Sequence, residues 1–340
     1  MNNNNFSYEK YKEVPWEKLR GTRILITGAS GMIGSVLIRM LLEYSKEFDG
    51  KIEIVGISRN EKTAKKQLKD VMDITNFSYV SKDINQPLED MGYFDYIIHC
   101  ASNTHPRQYS SDPIGTIMTN VLGTKNLLDY AVNYGVGRFV FLSSVEIYGE
   151  NRGDVELFTE DDLGYLDCNT LRSGYPEGKR LGESMCNAYA KQHGIDFVIP
   201  RLSRTYGPGL LETDSKAISQ FIHKAAAGED IVLKSKGDQL YSYTYSEDAA
   251  AAVLLIMLKG QSKEAYNVSD SNSILTLANL AKTLAEITGV KVVFELPDDT
   301  EKAGYSTATK AVLDAGKLED LGWRARVNIR DGLESMVKGK

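Results

Sequence analysis

Cysteine is scarce in this 340-residue chain: Cys100, Cys168 and Cys186 are all it has. Neither their spacing nor its relation to the four histidines, His99, His105, His193 and His223, forms a disulfide framework or a metal-ligand pattern. The cysteines are expected to pack, no metal is expected, and His99, at the end of an apolar run, reads as a structural hydrogen bonder. A basic surplus is also missing. Lys and Arg number 40 against 46 Asp and Glu, for a net charge of -6, so the chain lacks the cationic field that wraps nucleic acid. Long apolar runs are missing too, since AAAAVLLIMLKG, beginning at Ala249, is too short to span a bilayer. The leader MNNNNFSYEKYKE has no charged-then-apolar signal layout, which makes the cytoplasm the expected location and leaves no membrane partner. No internal repeat or low-complexity linker divides the sequence.

What is present is an ordinary globular composition, 42% hydrophobic and 25% charged, at a length that suits one large or two interleaved domains. RILITG is an apolar run of strand length ending at Gly28, after which Met32, Val36, Leu37, Met40 and Leu41 recur with helical period. The pattern repeats through strands in KIEIVGIS, FSYVSKDI, FDYIIHCAS, RFVFLSS and DFVIPRL, with a long helix in IMTNVLGTKNLLDYAVNYG and another around Tyr175. This alternation predicts an α/β fold built on a Rossmann-type, doubly wound parallel sheet. After Ser203 shorter pieces follow, a helix AISQFIHKAAAG, strands near IVLKS and LYSYTYS and a helix LANLAKTLAEITG, which predict a smaller C-terminal α/β lobe for substrate. The helix EDAAAAVLLIMLKG is so apolar that it is expected to return to the main sheet. The expected partition is 20–202 with 246–268 for the dinucleotide domain, and 203–245 with 269–340 for the substrate lobe. Trp16 and Leu19, in a short helical turn, are expected to cover the edge of the large domain, with a disordered leader confined to Met1 to Asn5.

Gly28, Gly31 and Gly34 stand between the first strand and its helix, where free N–H groups and partial positive charge meet a pyrophosphate that glycines allow to come close. With Ser30, Met32 and Ile33 they form the candidate dinucleotide loop. The acid that usually ends the second strand and binds the ribose of NAD is absent. Ser58 and Arg59 stand there instead, with Lys62 nearby, and offer a cation to a 2′-phosphate. NADP is therefore the expected cofactor, and NAD the alternative if Arg59 stacks on adenine or lies in solvent. Asp83 and Ile84, after the third strand, are candidate adenine contacts, with a loop cap the other reading of Asp83. Far downstream, Tyr175 and Lys179 lie four apart on one helical face, so the ammonium can favour the phenolate and make Tyr175 a base near neutral pH.

The pieces TGASGMIG, DYIIHCAS, NVLGTKNLL, RFVFLSSVEIYG, YPEGK, PRLSRTYGPG, GDQLYSYTYSEDAA and LEDLGW stand in a specific order and spacing. In them the chain resembles, along nearly its whole length, the extended short-chain dehydrogenase/reductase family of sugar-nucleotide epimerases and dehydratases. The resemblance implies a bound nicotinamide nucleotide touching Ala101 and Ser102, a nucleotide-diphosphate sugar in the C-terminal lobe, and a Ser/Thr-Tyr-Lys triad. It also implies a homodimer paired through the two long helices that contain Asn120 and Tyr175. Ser144, four places before Tyr148, is selected over Ser143 as the triad serine that hydrogen-bonds the sugar 4-hydroxyl. Tyr175 would take that proton while Lys179 holds Tyr175 and the nicotinamide ribose, and hydride would leave C4. Asn120 either organises a water near Lys179 or makes a helix hydrogen bond.

Glu146, two places after Ser144, is similar to the glutamate of members that take a proton from sugar C5 or lose a carboxylate there, with an exposed structural role as the alternative. Val145 departs from the acid of dTDP-glucose-type dehydratases, which argues against elimination of a 6-hydroxyl. Tyr241 stands where many relatives have the arginine of G-x-Q-x-R-x-F, and Arg204 where they often have asparagine. The expected consequence is a diphosphate-binding charge moved to Arg204 from the wall of Tyr241, unless Arg204 pairs internally with an acid such as Asp248. The implied function is epimerisation or dehydration of an NDP-sugar through transient C4 oxidation. The alternative is NADPH-dependent reduction of a 4-keto sugar or small carbonyl compound. A non-enzymic redox sensor would need the glycine loop but not the set Ser144, Tyr175 and Lys179.

Overall fold

Strands rich in Ile, Val and Phe that are apolar on both faces can be satisfied only between two helical layers. The computed structural model, which describes residues 8–47, 51–104, 106–153, 155–295 and 309–338, shows this arrangement. The leader Met1 to Asn5 and His105 lie outside the described residues. Strands β1 (Arg23–Thr27), β2 (Glu53–Ser58), β3 (Phe77–Ser81), β4 (Tyr96–His99), β5 (Arg138–Phe141), β6 (Ser143–Ser144), β7 (Phe197–Leu202) and, late in the chain, β11 (Ala265–Val268) form the large sheet. Its order is β11-β7-β5-β4-β1-β2-β3, with β6 also on β7. Every pairing in it is parallel.

Alternate side chains of the strands point to opposite layers. Ile24, Ile26, Ile54, Ile98 and Val198 pack with the apolar face of α1 (Met32–Glu47) and with α7 (Ser246–Lys259). Leu25, Ile57, Ile97, Phe139 and Phe197 pack instead with Leu127 and Leu128 of α4 (Pro113–Tyr134) and with Cys186 and Ala190 of α5 (Gly174–His193). Helix α7 is buried along nearly its whole length, so the segment Ser246–Val268 adds a helix and an edge strand to the large sheet. The short helices α2 (Glu61–Gln67) and α3 (Pro106–Ser111) follow β2 and β4.

The smaller lobe contains α6 (Ala217–Ala226), α8 (Leu277–Thr288) and α10 (Ile329–Lys338) around β10 (Leu240–Tyr245). Strand β10 pairs in parallel with β8 (Arg204–Tyr206) and β14 (Lys310–Ala311) and antiparallel with β12 (Ile274–Thr276). Strands β9 (Ile231–Leu233) and β13 (Val292–Phe294) form a separate parallel pair. Only Ser203 separates β7 from β8, so the wall of the large sheet runs directly into the lobe.

Chain order is a poor guide at the ends. Trp16 and Leu19 are buried in the large core as expected, but so are Leu318 of α9 (Gly316–Asp320) and Trp323, which sequence order assigns to the substrate lobe. Asp248 explains this convergence. Its carboxylate accepts hydrogen bonds from Tyr11 Oη at 2.8 Å and from the backbone N–H groups of Arg326 and Val327, both at 3.0 Å. One buried acid thus ties both ends of the chain to the start of α7. Of the cysteines expected to pack, Cys186 does so, whereas Cys168 is exposed.

The chain runs outward from β1 to β2 and β3 on one side, and β4 lies on the other side of β1. This is the topological switch point at which open α/β sheets bind ligands beyond the carboxyl ends of their strands.

Candidate functional site

The backbone turns at Gly28 with φ +68, and a Cβ there would lie 2.8 Å from Ala101 N and from Cys100 C. A Cβ at Gly34 would lie 2.4 Å from Gly28 O, and Gly31 N donates to that same oxygen at 2.8 Å. Both glycines are required by close approach: the loop after β4 occupies one space and the loop after β1 the other. Gly28, Ser30, Gly31, Met32, Ile33 and Gly34 consequently line one end of a single long cleft. A cradle that excludes side chains at the N-terminus of α1 fits a pyrophosphate.

Along the same end run Ser58, Arg59, Ile84, Ala101 and Ser102. Arg59 is exposed, and its Nη2 donates to Asn103 Oδ1 at 2.9 Å, while Ser58 Oγ contacts Tyr79 Oη at 3.1 Å. Asp83 and Asn120 do not line the cleft. Asp83 Oδ1 accepts from Asn85 N at 3.0 Å, the loop-cap reading. Asn120 is buried, donates through Nδ2 to Thr116 O at 2.9 Å within α4 and accepts from Ser102 Oγ at 2.9 Å. Asn120 thus makes the helix hydrogen bond and also fixes Ser102. His99 is likewise structural, its ring held between Thr27 Oγ1 at 2.9 Å and Thr124 Oγ1 at 3.1 Å.

At the other end, Ser144 closes β6, and its Oγ accepts from Glu146 N at 3.3 Å, capping the 3-10 turn Val145–Tyr148. The same end of the cleft is lined by Tyr175, which projects from the first turn of α5. One turn on, Lys179 Nζ donates to Leu142 O at 2.7 Å. In the dinucleotide-free protein burial pushes the Tyr175 pKa up to about 12, Ser144 and Arg172 offset only part of that, and Glu146 adds to it. Burial also pushes Lys179 down to about 8. The physical reason is that both groups are desolvated, while the ammonium is turned to a carbonyl.

Glu146 is not an exposed surface carboxylate. Burial would raise its pKa, but Arg172 and then Arg204 outweigh it and hold the carboxyl below its ordinary value. Arg172 Nη2 reaches its two oxygens at 3.3 and 3.2 Å, and Arg204 Nη1 reaches Oε1 at 3.4 Å. The internal partner of Arg204 is therefore Glu146, since Asp248 is taken up by the chain ends. Tyr241 does not border the cleft. Its ring is buried and lies 3.7 Å beneath the Arg204 guanidinium, so it acts as a floor for that cation.

A model of the NAD dependent epimerase/dehydratase family matches residues 24–269, which spans the glycine loop, the Ser144 turn, the Tyr175 helix and α7. The chain belongs to that family. UDP-glucuronic acid decarboxylase 6 of Arabidopsis thaliana is 32% identical over 318 residues, 92% of this chain and 87% of the relative. Among solved structures, the dTDP-glucose 4,6-dehydratase DesIV of Streptomyces venezuelae, with NAD bound, is 27% identical with a TM-score of 0.78, covering 93% of this chain and 96% of that one. UDP-glucose 4-epimerase of Thermotoga maritima, with UDP-glucose, shares the fold at 24% identity and a TM-score of 0.79, covering 93% and 98%.

Within this epimerase/dehydratase site, sequence reasoning missed Asn103, Tyr109 and Arg172. Tyr109 of α3 stacks on Tyr175 at 5.0 Å and 19°, and the Arg172 guanidinium lies 5.7 Å from the Tyr109 ring. A signal existed for two of them, because Asn103 and Tyr109 follow β4 at the switch point, where loops reach the ligand. Arg172 stands three residues before Tyr175, in a segment with no periodicity to mark it. Among the described residues no helix is long and apolar enough to cross a membrane, and no group of three or more His, Cys, Asp or Glu side chains is placed to hold a metal.

The Lys179 environment has a measurable consequence in the dinucleotide-free protein. Its folded pKa of about 8 lies below the ordinary 10.5, so between those values the unfolded chain holds the additional proton. Stability contributed by this residue therefore rises with pH across that window. Denaturant unfolding of the protein and of Lys179→Met at a series of pH values should show the variant losing this rise. Parallel pH curves for the two proteins would contradict the desolvated lysine.

Proposed function

We propose that this protein acts on a nucleotide-diphosphate sugar by transient oxidation at C4 and returns the hydride within one turnover. The observation that carries this reading is the joining, in one cleft, of the glycine cradle with Ser144, Tyr175, Lys179 and Glu146. The cradle fits a nicotinamide dinucleotide, which supplies a hydride acceptor and, when oxidised, a positive charge that stabilises a nearby phenolate. Ser144 orients the 4-hydroxyl, and Tyr175 accepts its proton. Lys179 lines the cleft one turn further along α5 and is placed to hold the ribose. Once C4 is a ketone the C5 proton is acidic, and Glu146, kept ionised by its two arginines, is the base that takes it. Val145, buried beside Glu146, offers no proton to a departing 6-hydroxyl, which favours epimerisation or loss of a C5 carboxylate over dehydration. Arg204 is the cation available to an anionic oxygen of the substrate.

For the cofactor we favour NADP, because Arg59 stands at the end of β2 with no acid beside it and is tethered over the cleft by Asn103. NAD is the second reading, supported by the NAD bound to the dehydratase neighbour. We also infer a homodimer. Ile114, Met118 and Leu122 form an exposed stripe at i, i+4 and i+8 on α4, and Leu181 is exposed on the adjoining α5. An apolar stripe of this kind on two packed helices suits a helical interface between two copies of the chain.

Incubation with a panel of UDP-, dTDP-, CDP- and GDP-sugars, UDP-glucuronic acid included, tests the reaction by mass. Unchanged mass with altered configuration, loss of CO2 or loss of water, each without net consumption of dinucleotide, is the expected class of result. Tyr175→Phe should lower turnover by about 10²- to 10⁴-fold and leave dinucleotide binding intact. Stoichiometric oxidation of NADPH would establish a reductase instead. Arg59→Asp should weaken NADP at least about tenfold more than NAD in a binding titration, as expected for a lost charged contact; equal losses would show that Arg59 does not read the 2′ position. Sedimentation velocity should give a dimer, and Met118→Asp with Leu122→Asp a folded monomer. A parent protein that sediments as a monomer would remove the interface.

A further inference from the structure

Glu146 is gripped unequally by its two cations. Arg172 touches both carboxylate oxygens, whereas Arg204 makes one contact, through Nη1, at 3.4 Å. All three contacts are longer than the about 2.7–2.9 Å usual for charge-assisted hydrogen bonds, and with one contact against two Arg204 is the more readily exchanged. The Nε of Arg204 is buried and finds no hydrogen-bond partner among the described residues. A buried donor without an acceptor is unfavourable, and an incoming oxygen that satisfied it would stabilise the displaced guanidinium. The Tyr241 ring 3.7 Å below gives that displacement a surface to follow, because a guanidinium moved along an aromatic face keeps its stacking. The ionisable groups that face Glu146 are Arg172 from the turn before α5, Arg204 from β8, Tyr175 from α5 and Tyr109 from α3.

We propose that Arg204 is a substrate-operated latch on Glu146: it pairs the carboxylate until an anionic oxygen of the sugar nucleotide takes the guanidinium, and the carboxylate is then released to accept a proton. The latch rests on the sugar-nucleotide reading above. It confines a competent base to the loaded site, so that a ligand without the correctly placed anion leaves Glu146 paired. Arg172, with its two contacts, keeps the released carboxylate in position. The required chemistry is a delocalised oxyanion that matches the guanidinium fork, and a nucleotide sugar carries one in its diphosphate and, in a sugar acid, a second on C5.

The test uses the full chain with glutamate labelled at the carboxyl carbon and saturated with reduced dinucleotide, which cannot accept hydride. The Glu146 signal is assigned by its loss in Glu146→Gln. Calorimetry confirms binding of UDP-glucose or UDP-glucuronic acid, and carbon NMR follows the Glu146 titration midpoint. The expected result is an upward shift of about one pH unit on binding, the size that follows loss of one adjacent charge. A shift with both ligands identifies the diphosphate as the trigger, and a shift with UDP-glucuronic acid alone identifies the sugar carboxylate. In Arg204→Met the midpoint should already be raised without ligand and should move no further, while Arg204→Lys, which keeps the charge, should retain a partial response. If a nucleotide binds and the midpoint stays fixed, or moves equally in Arg204→Met, the latch is overturned while the sugar-nucleotide reading stands. If neither ligand binds and the panel gives no product, the sugar-nucleotide reading fails and the latch falls with it.

Discussion

The close approach of the loop after β4 to Gly28 is the constraint on which the rest of the site depends. Any side chain at Gly28 would collide with the backbone of Cys100 and Ala101, and one at Gly34 with the carbonyl of Gly28. Because both positions are bare, the N-terminus of α1 and the ends of β1 and β4 meet around a narrow crevice. The position of β7 beyond β5, and its continuation into β8, then bring Arg204 to the far wall of that crevice. Helix α5, packed against α4, delivers Tyr175 and Lys179 to its floor. Widening the first contact would separate the glycine loop from Ser144, Tyr175 and Glu146.

Burial acts on Tyr175, Lys179 and Glu146 alike, with results set by what each group finds as a partner. Tyr175 and Lys179 are both driven toward their neutral forms, one upward and the other downward. Glu146 escapes the same fate only because two guanidiniums surround it. Such a cleft resists isolated charge and accepts compensated charge, a property suited to chemistry in which protons move and charge is redistributed among bound groups. Tyr109 contributes by covering the Tyr175 ring, which deepens its desolvation without supplying a charge.

Much of the fold could be read from periodicity. The alternation of apolar strands with amphipathic helices specified the parallel sheet, and the unusual apolarity of α7 specified its return to that sheet. The glycine loop and the pair Tyr175 and Lys179 were legible because each depends on spacing within one local element. Asp83 and Asn120 show the limit of that method: both stand close to the cleft in sequence terms, yet their polar atoms are already used by Asn85 N and Thr116 O. Tyr109 could be suspected only from its place after β4, and Arg172 was invisible, because an aromatic stack and an ion pair between separate loops leave no periodic trace. The burial of Leu318 and Trp323 in the large core was equally hidden, since it depends on Asp248 gathering the two ends of the chain.

The sequence by itself determined the kind and order of the elements, the family to which they belong and the local motifs of the glycine loop and the tyrosine–lysine pair. These are properties of residues near one another along the chain, where helix and strand geometry dictate the distances. Tertiary structure alone decided that Arg204 grips Glu146 and not Asp248, that Tyr241 lies beneath the cation and away from the cleft, and that Tyr175 is held neutral. Those outcomes follow from burial and from charge pairing between residues as far apart as Glu146 and Arg204. Both quantities take a value only once the chain has closed around them.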